Sequence, residues 1–349
     1  MFQLRKLALL LCCAALAAGL ATYAWWASQR PVAHYLSDLR IEVLLDQGSP
    51  GAAGNLLGLQ PRMAPADYQD ARRLQLKFEA YLRQARARGL LSPRTIVVLP
   101  EHIGTWLWLS GEKDEVYQAD ELKGATGWLT LSNPLPFLRA WLGGHGRHRF
   151  SEAQLRMKAP RMAEDYQRVF GGLARQFGIT LVAGSIVLPE PSLRDGQLVI
   201  GDGPLFNVSL VFGTDGQPLA APLRQHRVHF RRFITAGDGP AAQVVQTPAG
   251  PVAVALGEDA ASPETHALVQ AAGARALAVP AFSARAVDEQ EPTAPTATLN
   301  GAAPAGMVVY LHGRFWSHVG GGEGYSWQAE RRGRAHRHGE AAGMLNLWL

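Results

Sequence analysis

The sequence predicts an α/β fold behind one membrane-compatible N-terminal helix, and three observations carry the prediction. From Leu7 to Gln29 no residue is charged. Beyond that stretch, segments with apolar residues every three or four positions alternate with short β-branched and aliphatic runs. Those runs are continuous rather than alternating, as in strands covered on both faces.

The apolar stretch follows Arg5 and Lys6 and ends beside Trp25 and Trp26, the flanks of a membrane span. A cleaved signal peptide competes, because Ala15-Leu16-Ala17 resembles a small-residue cleavage site, although the stretch exceeds a usual signal core. Basic residues ahead of it place Arg30 onward on the non-cytoplasmic side, periplasmic or extracellular; cleavage would leave the remainder secreted. Residues 1–30 are therefore read as an anchor or signal segment, and 38–349 as one folded domain. Roughly 320 residues can bury a large core, and no low-complexity linker divides them.

Composition narrows the function. The formal net charge of +5 loses two units when Arg5 and Lys6 are set aside, a mild excess that does not point to nucleic acid. Cys12 and Cys13 are the only cysteines. The rest of the chain can form no disulfide and offers no thiolate to a metal or a substrate.

Taken in order, residues 66 to 88 form an amphipathic helix on Ala71, Leu74, Phe78, Leu82 and Ala85, stopped by Gly89. Thr95 to Leu99 is a buried strand ending at Pro100-Glu101. A second helix carries Met162, Tyr166, Phe170 and Phe177 and ends near Gly178, followed by a strand from Ile179 to Val187. Leu205 to Phe212 is a strand closed by the turn Gly213-Thr214-Asp215-Gly216. Pro251 to Leu256 is the next. Ser262-Pro263-Glu264 then supplies a capping hydroxyl, a proline at the first helical position and an early acid, before a helix ending at Gly273 and a strand from Ala274 to Val279. Residues 284 to 306 read as an exposed loop, and Met307 to His312 and Tyr325 to Leu349 as closing strands.

These segments carry a resemblance. TIVVLPEHIGTWL around Glu101, ARQFGITLVAGS (174–185), FNVSLVFGTDG (206–216) and VAVALGEDAASPE followed by AAGARALAVPAFS (252–283) are similar to the carbon-nitrogen hydrolase (nitrilase) superfamily in order and spacing. The resemblance implies a four-layer α-β-β-α sandwich, usually assembled into dimers or larger oligomers. It also implies a glutamate general base, a lysine that stabilises the oxyanion and a cysteine nucleophile. Glu101 matches the glutamate. Glu258 to Glu264 match the family's run after its cysteine, which leaves Gly257 in the cysteine slot. Gln225-His226-Arg227-Val228-His229-Phe230 is similar to the lysine motif, with Arg227 in the lysine slot, and no lysine follows Lys158.

The expectation is a degenerate, membrane-anchored member that binds a small polar ligand around Glu101 and Arg227, or acts through assembly as a homo-oligomer, without cofactor or metal. The alternative is an amide or nitrile hydrolase in which Glu101 activates water, or Ser262 or Thr265 supplies the nucleophile. Trp128 to Leu142 reads as core or interface, with lipid contact or a pocket lid as alternatives. His145 to His148, His336 to His338 and the arginines of 331–334 fit solvated loops or hairpins better than metal or phosphate sites. Asn207-Val208-Ser209 matches a glycosylation acceptor inside a strand, where a sugar would be awkward.

Overall fold

Alternation along each strand decides the architecture. In Thr95–Val98, Val97 faces one apolar cluster while Ile96 and Val98 face another. Leu57 and Leu59 part from Leu56 in Asn55–Gln60, and Val252 and Val254 part from Ala253 and Ala255 in Gly250–Ala255. Both faces of these strands are dry, and so the sequence reads as unbroken apolar runs. The computed structural model describes residues 2–30, 35–144, 148–228, 233–286, 299, 302–335 and 341–349.

Two six-stranded sheets result. The first joins, in spatial order, Ile41–Gln47, Ala342–Trp348, Asn55–Gln60, Thr95–Val98, Thr180–Val182 and Val211–Phe212. The second joins Ala242–Thr247, Gly250–Ala255, Ala276–Ala281, Ala305–Tyr310, Tyr325–Gln328 and Arg331–Arg334. Leu56, Ile96, Val98 and Leu345 of the first share a cluster with Val252, Val254, Met307 and Val309 of the second, so the sheets pack face to face. Central strands run parallel, Asn55–Gln60 beside Thr95–Val98 and Gly250–Ala255 beside Ala276–Ala281.

Helices cover the outer faces. Helix α1 (Phe2–Ser28) is the apolar N-terminal segment, long and apolar enough to cross a membrane or serve as a signal, and none of its span is buried by the protein. Helix α2 (Ala71–Ala87) starts where the Asp70 side chain accepts from Arg72 N–H, and packs Leu74 and Phe78 on the first sheet. It begins later than the periodicity predicts. Asp67 accepts from Ala64 N–H at 2.9 Å and pairs with buried Lys77 at 2.9 Å, which holds Pro65–Tyr68 as a separate 3-10 turn.

After a single turn, α3 (Asp114–Tyr117), come α4 (Leu122–Ser132), α5 (Pro134–Leu142) and α6 (Arg149–Tyr166). A π turn over Gln167–Gly171 leads into α7 (Gly172–Phe177), which ends at left-handed Gly178. Helix α8 (Pro263–Ala271) sets Val269 into the cluster on the outer face of the second sheet, and its cap is the predicted one: Ser262 accepts from Thr265 N–H.

Three predicted elements differ. The run Ile179 to Val187 breaks into Thr180–Val182 and Ile186–Pro189. Gly184 between them has φ +64°, and a Cβ there would fall 2.0 Å from the Pro100 carbonyl oxygen, so the chain turns out of the first sheet. Leu205 to Phe212 divides likewise. Leu205–Ser209 joins Ile186–Pro189 and Leu223–Arg224 in a three-stranded sheet, while Val211–Phe212 stays on the first. Trp128 to Leu142 falls in α4 and α5, parted at Asn133; Leu129 and Ser132 of α4 are buried, Leu129 in the core, whereas α5 buries no residue. The predicted loop 284–306 lies largely outside the described residues, with strands Ala284–Ala286 and Ala305–Tyr310 at its ends.

Candidate functional site

Four strand ends and turns converge on Glu101. It follows Thr95–Val98 by way of Leu99-Pro100, and its own N–H donates to the Ala281 carbonyl of the second sheet at 3.3 Å, which places the residue across both sheets. The side chain is wholly buried. Its Oε1 accepts from Asn207 Nδ2 at 3.0 Å and from Gln225 Nε2 at 2.8 Å, and Asn207 Nδ2 also donates to Gln225 Oε1 at 2.8 Å. Oε2 has no hydrogen-bond partner among the described residues.

Gly257 stands directly against that free oxygen. The chain turns sharply there from Gly250–Ala255 into the 3-10 turn Gly257–Ala261, with φ +48°. A Cβ at this position would meet Glu101 Oε2 at 2.9 Å and Gln225 Nε2 at 3.2 Å. The slot that a nucleophile's side chain would need is thus bordered by the acid and the amide, at a sharp strand-to-helix turn of the kind that presents nucleophiles elsewhere. Glycine tolerates the left-handed backbone and carries nothing into the slot.

The cation predicted beside the acid is not there. Arg227 is exposed, and only its backbone is engaged at the site: Arg227 N–H donates to Asp259 Oδ1 at 2.8 Å and His226 N–H to Oδ2 at 2.7 Å. Asp259 therefore clamps the loop from the Gly257 side, and the residue it delivers onto Glu101 is Gln225. The side chain of this loop that reaches the acid is thus an uncharged amide, two positions before Arg227. His229 lies outside the described residues.

Electrostatics follow from this neighbourhood. Among the described residues no lysine or arginine pairs with Glu101. Burial raises its carboxyl to about 8, against the lowering pull of the Gln225 hydrogen bond; Asp259 adds to the rise, Asn207 opposes it and Glu258 adds again. Asp259 is also raised, chiefly by burial. Burial, and then the Glu101 charge, push the Tyr310 hydroxyl up to about 12. Burial therefore favours the neutral form of the Glu101 carboxyl well above the ordinary carboxylate range.

Sequence reasoning brought Glu101 and Gly257 together correctly but missed Asn207, Gln225 and His102. Asn207 was visible only as a glycosylation triplet, and it is buried in a strand, facing the acid. His102 has φ +61°, its Nδ1 lies 3.0 Å from Thr105 Oγ1, and its Nε2 is 3.7 Å from Glu101 Oε1. Neither hydroxyl considered as a substitute nucleophile is free. Ser262 Oγ donates to Thr265 Oγ1 at 3.0 Å while capping α8, and Thr265 Oγ1 donates to the Asp259 carbonyl at 2.7 Å. Residues 145–147 and 336–338 lie outside the described residues; Arg331–Arg334 is the predicted hairpin strand, paired with Tyr325–Gln328.

Beyond His102 opens a cavity of about 260 Å³. Trp106, Trp108, Phe282 and Phe315 give it aromatic walls, and Leu122, Thr126 and Leu129 of α4 close one side. Trp106 stacks on Phe315 at 4.2 Å, and His102 meets Phe282 edge-on at 5.1 Å. Glu101 does not line this cavity; His102 does.

No protein-family model matches the chain, and no curated protein matches it in sequence. Solved structures do match its fold. A cysteine-to-alanine variant of the Nesterenkonia AN1 amidase from the nitrilase superfamily superposes with a TM-score of 0.54 at 15% identity, over 86% of this chain and 92% of that one. A form of that Nesterenkonia amidase in complex with butyramide gives 0.54 at 16%, with the same coverage. The crystal structure of an amidase from Nesterenkonia sp. gives 0.52 at 15%, again over 86% and 92%. The mixed α/β fold of this chain is that of the nitrilase-superfamily amidases.

Proposed function

We propose that this is a membrane-anchored protein of the four-layer α-β-β-α nitrilase type that has lost carbon-nitrogen hydrolysis and acts by binding or assembly. One observation carries the reading: Gly257 brings no side chain to the slot beside the buried Glu101 carboxyl. A hydrolase of this type needs a thiolate, an ionised base and a cation, whereas Gly257 has no thiol, burial favours the neutral form of Glu101, and the loop side chain that reaches the acid is the uncharged Gln225. Arg227 keeps a charge in the same loop but spends it in solvent. The buried Glu101, Asn207 and Gln225 cluster is a structural tie between the end of the first sheet and the three-stranded sheet. Ligand binding then belongs to the aromatic cavity beside His102 rather than to a polar pocket around Glu101, which favours a ligand with an apolar body and few polar atoms.

The anchor is α1, with the folded part on the non-cytoplasmic side. The intact mass of the protein recovered from membranes tests it directly, because cleavage after Ala17 removes both cysteines. Hydrolysis is tested by incubating the full-length protein with a panel of amides, nitriles and carbamylated amino acids. The expected result is no turnover above that of the buffer. Turnover that disappears in Glu101→Ala overturns the proposal.

A further inference from the structure

Helix α5 contradicts the ordinary rule for a helix in water. It buries none of its residues, yet its only charge is Arg139. Leu135 and Leu142 are 76% and 65% exposed, and Trp128, Leu131 and Leu138 add a contiguous apolar surface of 40 to 47% exposure. A water-facing helix would place polar residues there.

The surface is rigidly built. At the turn between α4 and α5, Asn133 Nδ2 donates to Glu112 Oε2 at 2.9 Å and to the Leu129 carbonyl at 2.8 Å, and Glu112 is paired with Lys158 of α6 at 2.6 Å. The same turn receives the end of α1. Arg30 Nη2 donates to the Ser132 carbonyl at 3.0 Å and to Asn133 Oδ1 at 3.1 Å, Tyr23 Oη donates to the Leu131 carbonyl at 2.5 Å, and Trp26 lies 6.3 Å from Trp128. Lys113 Nζ ties down the Trp26 and Gln29 carbonyls, each at 2.7 Å. The apolar surface therefore begins where the apolar helix leaves off. No acidic residue occurs from Leu122 to Gly144, whereas Lys123 and Arg139 do, and the Arg149 guanidinium sits 5.1 Å from the Trp141 ring. Basic and tryptophan side chains around an aliphatic face suit the phosphate and acyl boundary of a bilayer.

We propose that the α4–α5 hairpin is a second membrane contact, lying in the interface of the bilayer that α1 crosses with Trp128, Leu131, Leu135, Leu138 and Leu142 in the lipid. This rests on the reading of α1 as an anchor. It makes α4 the partition between the bilayer and the aromatic cavity, since Leu122, Thr126 and Leu129 line the cavity from the other side of the same helix.

The test uses full-length protein in phosphatidylcholine and phosphatidylglycerol vesicles, with one nitroxide per molecule. Sites are Cys12 in a Cys13→Ala background, and Leu135→Cys, Leu138→Cys and Glu330→Cys in chains where both native cysteines are alanine. Collision rates are read with oxygen, which concentrates in lipid, and with a polar nickel chelate, which does not. The expected result is that Leu135→Cys and Leu138→Cys favour oxygen, as Cys12 does, while Glu330→Cys favours nickel. If Cys12 favours oxygen but both hairpin sites behave like Glu330→Cys, the hairpin proposal is overturned and the anchor survives. Hairpin sites shielded from both reagents overturn it in favour of a protein interface. A Cys12 label that favours nickel overturns the anchor, and the hairpin with it.

Discussion

Glu101 is a fully buried carboxyl set against Gly257. Glu101 is held above the ordinary carboxyl value of 4.5, at about 8, because burial outweighs its two amide donors. Between those values the folded chain retains a proton that the unfolded chain has lost. Stability is therefore full below the ordinary value, falls as pH rises through the window and is level above about 8. Glu101→Gln mimics the neutral acid and has no such slope. Denaturant unfolding of the two proteins from pH 5 to 9 should show the stability of the native protein falling relative to the variant by about 2–5 kcal/mol. A constant difference would mean that the carboxyl is already ionised at neutral pH. The opposite experiment adds atoms. Gly257→Ala forces a Cβ to 2.9 Å from Oε2 at φ +48°, and should cost about 1–3 kcal/mol in thermal or chemical unfolding.

Elements are fixed mostly by their ends, and here the sequence was most readable. Ser262 does what a serine before Pro263 and Glu264 should, accepting from Thr265 N–H at the start of α8. Ser262→Ala should lower stability by about 1 kcal/mol, measured by chemical denaturation, with the far-UV spectrum of the remaining helices unchanged. Gly89 and Gly178 stop their helices as expected, and the Thr95 run is a buried strand. The breaks inside Ile179 to Val187 and Leu205 to Phe212 were not legible, because nothing local in those apolar runs says which sheet each half joins. That is decided across the molecule, by Pro100 lying against Gly184. The same limit explains Gln225. One-dimensional matching pointed to Arg227, whereas the loop is held by Asp259, which grips two of its backbone N–H groups from 32 and 33 residues away in sequence. In the α4–α5 segment apolar composition did not say which half is buried: Leu129 of α4 enters the core, while α5 buries nothing.

At the scale of the whole molecule, the two six-stranded sheets share one apolar cluster and are bridged by the Glu101 N–H, which donates to the Ala281 carbonyl. Ile96 sits in that cluster, fully buried between Leu56, Val98 and the strands of the second sheet. Ile96→Ala should cost about 2–5 kcal/mol in denaturant unfolding, because a cavity between two sheets cannot collapse without shifting both. The first sheet has a further property. Among the described residues its edge strand Ile41–Gln47 pairs only with Ala342–Trp348, which is inserted between it and Asn55–Gln60; Asp46 and Asn346, hydrogen-bonded across this junction, are 300 positions apart. During translation the early strand waits for the late one. At about 5–20 residues per second that interval is roughly 15–60 s, in which the early strand has an unsatisfied edge. In a nascent chain of this design that edge stays open until the ribosome has delivered residues 342–348.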